Sequence, residues 1–297
     1  MFIINHRKIF YFVAVLLVLA SIVSLAVWGL KPGIDFAGGS FLKLSYNGEA
    51  PQVEQIRDEI SKVGFGEASV RTGANSEYSI RLRELRPEEK DALMSALSFQ
   101  GKYSPVEKGF SSVGPVLGKE TLRKSYFAIL SVIIGIVLFI TFAFRKVSRP
   151  VSSWVYGLIA IIALAHDVIV PVGLFSFLGH FYGIEVDALF VTALLVILGF
   201  SVHDTIVVFD RVRENLHHAN DKERFDYIVG QSISETFVRS INTSLTTLLA
   251  IVALYIWGPE TTRHFSLVLL VGIVAGTYSS IFIGSPLLVT INNWRKK

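Results

Sequence analysis

The stretch GFSVHDTIVVFDRVREN, residues 199–215, closes an apolar run that begins near Ala188 and sets His203 and Asp204 side by side among Val, Ile and Phe. Whether that carboxylate sits in a soluble core or in lipid decides the fold. Of the 297 residues, 52% are hydrophobic and only 18% are charged, against about 25% charged in an ordinary soluble domain. Mean hydropathy is +0.53. The chain reads as a polytopic α-helical membrane protein.

Working outward from that stretch, six apolar segments are long enough to cross ~30 Å of hydrocarbon at ~1.5 Å per helical residue. They lie near Ile9–Leu30, Ser125–Phe144, Trp154–Leu178, Ala188–Phe209, Ile241–Trp257 and Phe265–Val289. The first resembles a signal peptide, with Ser24 and Ala26 placed like a cleavage site. Its apolar run exceeds the roughly 7–15 residues of a signal core, so a retained helix is expected.

Six crossings put the basic residues Arg7, Lys8, Arg145, Lys146, Arg149, Arg211, Arg213, Lys222, Arg224, Arg295, Lys296 and Lys297 on one side. By the positive-inside rule that side is the cytoplasm and holds both termini. Arg123 and Lys124 run against the rule where a large domain re-enters the membrane, but long translocated domains largely escape it. The net charge of +4 resides in the cytoplasmic flanks, facing anionic lipid.

Three regions follow: residues 1–30, a cytoplasmic start and first span; residues 31–122, an extracytoplasmic domain; and residues 123–297, five further spans. In the domain, FLKLSY and EYSIRLR alternate as strands, and QVEQIRDEISKV puts Val53, Ile56, Ile60 and Val63 on one helical stripe. With ASVRT before EYSIRLR, and PEEKDALMSAL and the KYSPVEKGF region after it, the order is βαββαβ, a ferredoxin-like α+β pattern. The domain has no His, the chain has no Cys, and twelve Lys or Arg balance thirteen Asp or Glu there. Zinc ligation, a thiol nucleophile and a nucleic-acid footprint are not expected.

A charged side chain in hydrocarbon costs at least about 2.5 kcal/mol on insertion scales, so such residues mark ion or substrate paths or face a protein interior. Asp204 is the strongest candidate, with a snorkelling or capping carboxylate as the alternative. The third span repeats the pattern, AHDVIVP at 165–171 against VHDTIVV at 202–208, and adds Asp167. Asp167 reads as an ion-path residue or a structural hydrogen-bonding one. His166 and His203 read first as satisfied buried imidazoles.

On the fifth span Arg239 opens a ladder through Asn242 or Thr243 to Thr246. The hydroxyls could relay protons or hold an ion, or bond a neighbouring helix. Arg239 is either a positive-inside anchor or the partner of a carboxylate. On the sixth span Gly272, Gly276, Ser280 and Gly284 form a small-residue packing seam at four-residue spacing. Ser201, His203 and Asp204 are no protease triad, because helix neighbours diverge by about 100°. No HExxH and no Walker loop is present, so no enzyme, metal or cofactor is expected.

Four separated segments carry a resemblance: GIDFAGGS at 33–40, VGPVLGKE at 113–120, GFSVHDTIVVFDRVREN at 199–215 and RSINTSLTTL at 239–248. They resemble the signature segments of the SecF family, accessory subunits of the bacterial Sec protein translocase within the SecD/SecF group of the resistance-nodulation-division superfamily. The likeness spans essentially the whole chain. It implies a bacterial inner-membrane protein that works with SecD and with the SecYEG translocon and SecA. Such a pair uses the proton motive force, or a sodium gradient, to draw unfolded polypeptide outward. The family's fourth-span carboxylate falls on Asp204 and its fifth-span arginine on Arg239; His203 stands where Asn is often found. Gly33, Asp35, Gly38 and Gly39 of the first motif and Gly114 and Gly118 of the second are candidate hinges of a mobile, non-catalytic domain. The alternative is an ion-coupled small-molecule or lipid exporter of the same superfamily; such exporters usually duplicate the six-span unit. A third possibility is a scaffold that clamps the translocon.

Overall fold

A computed structural model describes residues 1–73, 76–145, 151–219 and 223–295. The cytoplasmic-flank residues Lys146, Arg149, Lys222, Lys296 and Lys297 lie outside them. The chain divides into two units, Pro32–Ser125 and the remainder, Met1–Lys31 with Tyr126–Lys297.

The helical unit opens with α1 (Phe2–Asn5) and α2 (Arg7–Trp28). The smaller unit begins with α3 (Ile34–Ala37), a single helical turn inside the GIDFAGGS segment. It continues as β1 (Gly39–Tyr46), α4 (Val53–Lys62), β2 (Ser69–Thr72), β3 (Glu77–Leu82), α5 (Pro87–Leu97) and β4 (Pro105–Val113). The strands form one antiparallel sheet in the order β2-β3-β1-β4, with Leu42 opposite both Ile80 and Phe110. Alternation along β3 buries Tyr78, Ile80 and Leu82, which meet Leu42, Leu44, Ile56, Ile60, Leu93 and Leu97 in one core. Val63 departs from the expected stripe. It caps the C-terminus of α4 and is 43% exposed, because the helix ends before a further turn would carry it inward.

Helix α6 (Pro115–Ala143) is followed by α7 (Ser153–Tyr182), α8 (Ala188–His218), α9 (Phe225–Trp257), a 3-10 turn, α10 (Arg263–Tyr278), a π-helical turn over Ser279–Gly284, and α11 (Ser285–Arg295). Among the described residues, six helical stretches are long and apolar enough to cross a membrane, the last running Glu260–Arg295 through the π turn. The helices overrun the apolar segments. For example, α9 starts at Phe225 and α8 continues to His218. Polar residues on these extensions pair with one another: Arg211 Nε donates to Glu235 at 2.5 Å and Asn215 Nδ2 to the same carboxylate at 2.9 Å.

Within the helical unit, α7, α8 and α10–α11 are the most buried, while α2, α6 and α9 turn most of their apolar surface outward. Phe144, Tyr156 and Phe209 stack at one end of the core. Helix α2 docks on α7 through small residues. A Cβ on Gly173 would lie 2.2 Å from that of Ser21, and Ser24 Oγ donates to the Gly173 carbonyl at 2.9 Å.

Candidate functional site

The site is framed by the contact of α8 with α10. Small residues on α10 recur every four positions and meet a matching series on α8. A Cβ at Gly272 would lie 2.1 Å from Ile197 Cδ1, one at Gly276 would lie 3.1 Å from Ser201 Cβ, and the Ser280 hydroxyl bonds Thr205 Oγ1 at 2.8 Å. At Gly284, the last residue of the π turn, a Cβ would lie within van der Waals reach of Phe209. Equal steps of four on both helices place them nearly parallel and closely approached, which only glycine or serine permits. The π turn points Ser279, Ser280 and Ser285 inward together, all three buried.

This contact holds two buried carboxylates. Asp204, 2% exposed, lies toward α9, where Ser244 Oγ donates to its Oδ2 at 3.4 Å. Ser244 also shares a 2.6 Å hydroxyl contact with Thr277 of α10. Ser240, one turn before Ser244, is buried with its hydroxyl unpartnered among the described residues. Asp167, on α7 and fully buried, is more fully served. His166 Nδ1 lies 2.9 Å from its Oδ1, and Ser279 Oγ donates to its Oδ2 at 2.8 Å. Ser201 Oγ donates to the same oxygen.

The other expected site residues do not join them. Arg239 is exposed, as is Thr246, and Thr243 is only half-buried. Thr243 Oγ1 donates to the Arg239 carbonyl and Thr246 Oγ1 to that of Asn242, so both hydroxyls are spent on their own helix. His203 is also exposed, which corrects the expectation of a satisfied buried imidazole. The inward face of α9 runs instead through Ser232, Thr236, Ser240 and Ser244, and the Arg239 ladder looks out of the bundle. Ser244, Thr277 and Ser279 escaped the sequence reading. The signal available for Ser244 was its four-residue spacing from Ser240.

The motif glycines of the smaller unit are places of close backbone approach. Gly38 and Gly39 have φ of +76° and +116°; a Cβ would lie 2.8 Å from Pro115 Cα at the first and 2.6 Å from the Leu82 carbonyl oxygen at the second. At Gly118 a Cβ would meet the Phe36 carbonyl oxygen at 2.9 Å, and at Gly114 the Glu84 carboxylate at 3.2 Å. Gly33 caps α3, and Asp35 stands in its first turn. The two motifs are thus packed on one another around the start of α6, unlike a pair of free joints.

These features define a class: a polytopic helical membrane protein with buried acids among its spans and one small α+β unit inserted after the first. The family described as "Protein export membrane protein SecD/SecF, C-terminal" matches residues 95–294. A protein translocase subunit SecF of Thermobaculum terrenum is 45% identical over 98% of this chain and 94% of its own length. One from Synechocystis is 37% identical over 96% and 92%. The crystal structure of SecDF, a translocon-associated membrane protein from Thermus thermophilus, is 32% identical with a TM-score of 0.83; it covers 99% of this chain, which spans 38% of that longer one. The chain belongs to the SecF family of protein translocase subunits, and it is a multi-pass membrane protein.

Proposed function

We propose that this chain, together with a SecD partner, couples the transmembrane ion gradient to protein export or membrane insertion. It resides in the bacterial cytoplasmic membrane with both termini in the cytoplasm, and residues 31–122 form a ferredoxin-like extracytoplasmic domain that contacts unfolded polypeptide without catalysis. The sheet order β2-β3-β1-β4 with two helices in the βαββαβ order supports that domain reading. SecYEG and SecA act on the same pathway.

The observation that carries the proposal is Asp204, a carboxylate 2% exposed in a membrane bundle and held by one long hydrogen bond to Ser244. Burial disfavours an ionised carboxylate, whereas a bound cation or a nearby guanidinium favours it. Asp204 therefore takes up and releases the coupling cation, H+ or Na+, as its surroundings change. The family's arginine, Arg239, is exposed on α9 among Phe237, Val238, Ile241 and Leu245, a face too apolar for water and too charged for lipid. A SecD-like chain covering that face gives the guanidinium protein surroundings and brings it into play with the carboxylate.

Affinity purification from native membranes tests the partnership. Recovery of SecD and translocon subunits is expected. A stable, export-active assembly without any SecD-like chain would overturn it.

A further inference from the structure

Asp167 is a second buried acid with a different environment. Its Oδ1 faces His166 Nδ1 at 2.9 Å and its Oδ2 receives Ser201 and Ser279. The Ser279 hydroxyl has two acceptors within reach, Asp167 Oδ2 at 2.8 Å and the Gly276 carbonyl at 3.1 Å, and one proton to give. When the carboxyl is ionised, that proton points to Asp167. When Oδ1 carries a proton, the carboxyl O–H donates to His166 Nδ1, Oδ2 still accepts from Ser201, and the Ser279 proton is free to keep pointing to Oδ2 or turn to Gly276. Both protonation states keep their hydrogen bonds, a provision that a fixed structural carboxylate does not need. Beside it, His166 is 4% exposed and its Nε2 has no hydrogen-bond partner among the described residues.

We infer that His166 and Asp167, with Ser201 and Ser279, form a proton-holding pair separate from Asp204. Its place in transport rests on the ion-coupled reading above; its protonation does not. In the unloaded pair, neutral His166 donates its Nδ1 proton to ionised Asp167, and the net charge is −1. A proton from hydronium bonds to the Nε2 lone pair as an O–H bond of that ion breaks, leaving water and a pair of net charge zero. The Nδ1–H bond then breaks as an Oδ1–H bond forms, and the charge stays zero. Release follows the reverse path.

The neutral, loaded pair suits a low-dielectric interior, and three donors hold the unloaded carboxylate. A metal ion fits poorly, because those donors occupy most of the carboxylate lone pairs. No group of three or more His, Cys, Asp or Glu able to hold an ion occurs among the described residues. The neighbouring titratable groups are engaged or turned away. Tyr278 of α10 stacks on His166 at 6.1 Å and donates to the Phe10 carbonyl on α2. Tyr11 of α2 is bonded to Thr290, and Arg7 in the first turn of α2, beside Lys8, donates to the Ile4 carbonyl. On α8, Asp204 is bonded to Ser244 and His203 is exposed.

The test is pH-difference infrared spectroscopy of the full chain with its SecD partner in lipid, with carboxyl-13C aspartate. A protonated aspartic C=O band that comes and goes with pH is expected, absent in Asp167→Asn and retained in Asp204→Asn. In Asp167→Glu it should reappear without the isotope shift, which rules out a folding defect. Ser279→Ala keeps the carboxyl and should shift the frequency of the band, because one hydrogen bond to the carboxyl group is lost. Wild-type and Asp167→Asn spectra that coincide from about pH 4 to about pH 9 would overturn the inference. Loss of the Asp204 assignment with the Asp167 band intact would overturn the earlier reading alone.

Discussion

Asp167 and Asp204 are hidden almost equally, at 0% and 2% exposure, yet the chain treats them differently. Asp167 takes donors from α7, α8 and the π turn, while among the described residues Asp204 receives one hydroxyl, at 3.4 Å, and Arg239 looks outward. Buried acids are tolerable when hydrogen-bonded or paired, so the Asp167 carboxylate is well served by donors of this chain and Asp204 much less so. On the proposed function, that shortfall is where the partner chain and the coupling cation act.

The largest effect short of removing the acid is expected from Arg239→Met. It should lower gradient-dependent export by at least about tenfold while leaving the Asp167 hydrogen bonds and the thermal stability of the isolated chain unchanged. Equal export by the variant and the wild type would place Arg239 outside the coupling machinery.

Gly272→Leu strikes the contact that positions both acids, since even a Cβ there meets Ile197 Cδ1 at 2.1 Å. Overpacking of this kind costs about 1–3 kcal/mol. The melting temperature in detergent should fall, and both carboxylates should lose their partners together.

The two hydroxyls that serve the acids separate the sites more finely. Ser201→Ala removes a donor from a fully buried carboxylate and should cost about 1–3 kcal/mol, whereas Ser244→Ala removes a long bond to Asp204 and a contact with Thr277, whose hydroxyl keeps the Ile273 carbonyl, and should cost less. Thermal unfolding of the two variants measures the order; a reversed order would erase the contrast between the sites.

A third carboxylate, Glu89 in the smaller unit, gives the solvent-side reference. Arg83 donates to it at 2.7 Å and the Arg86 backbone at 2.8 Å, which together hold its acid down to about 2. The folded value lies below the unfolded one, near 4.3, so this contribution is present above that pH and fades as pH falls toward about 2. Glu89→Gln should therefore narrow the difference between neutral and acid stability slightly, read from unfolding at several pH values. A surface pair of this kind gives a small effect.

Much of this was legible in the sequence. Apolar length alone locates six crossings, and strict alternation in EYSIRLR locates β3 and its buried face. The motif carboxylate at 204 was readable because a charge in an apolar run has few bland explanations. The inward face of α9 was not. Hydroxyls at 243 and 246 and at 240 and 244 recur at helical spacing alike, and each can return its bond to its own helix, so spacing does not say which row meets a neighbour. The π turn was equally hidden, because one extra residue in a helical turn has no composition of its own. The bonds from Ser279 to Asp167 depend on it. The glycines at 38, 39 and 118 suggested freedom because glycine is permissive; their actual use depends on which backbone lies opposite, a tertiary fact.

The most direct test of the central assignment is gradient-driven export in membrane vesicles carrying Asp204→Asn, with the ion gradient first imposed and then collapsed. Asparagine keeps the shape and removes the titratable group. Each charge crossing the membrane brings about 2.3 kcal/mol per 100 mV, which the variant has no means to collect at this position. Normal assembly with SecD is expected, together with export that no longer responds to the gradient. Export that still rises with the gradient and falls on its collapse, as in the wild type, would contradict the account and leave Asp204 a structural residue.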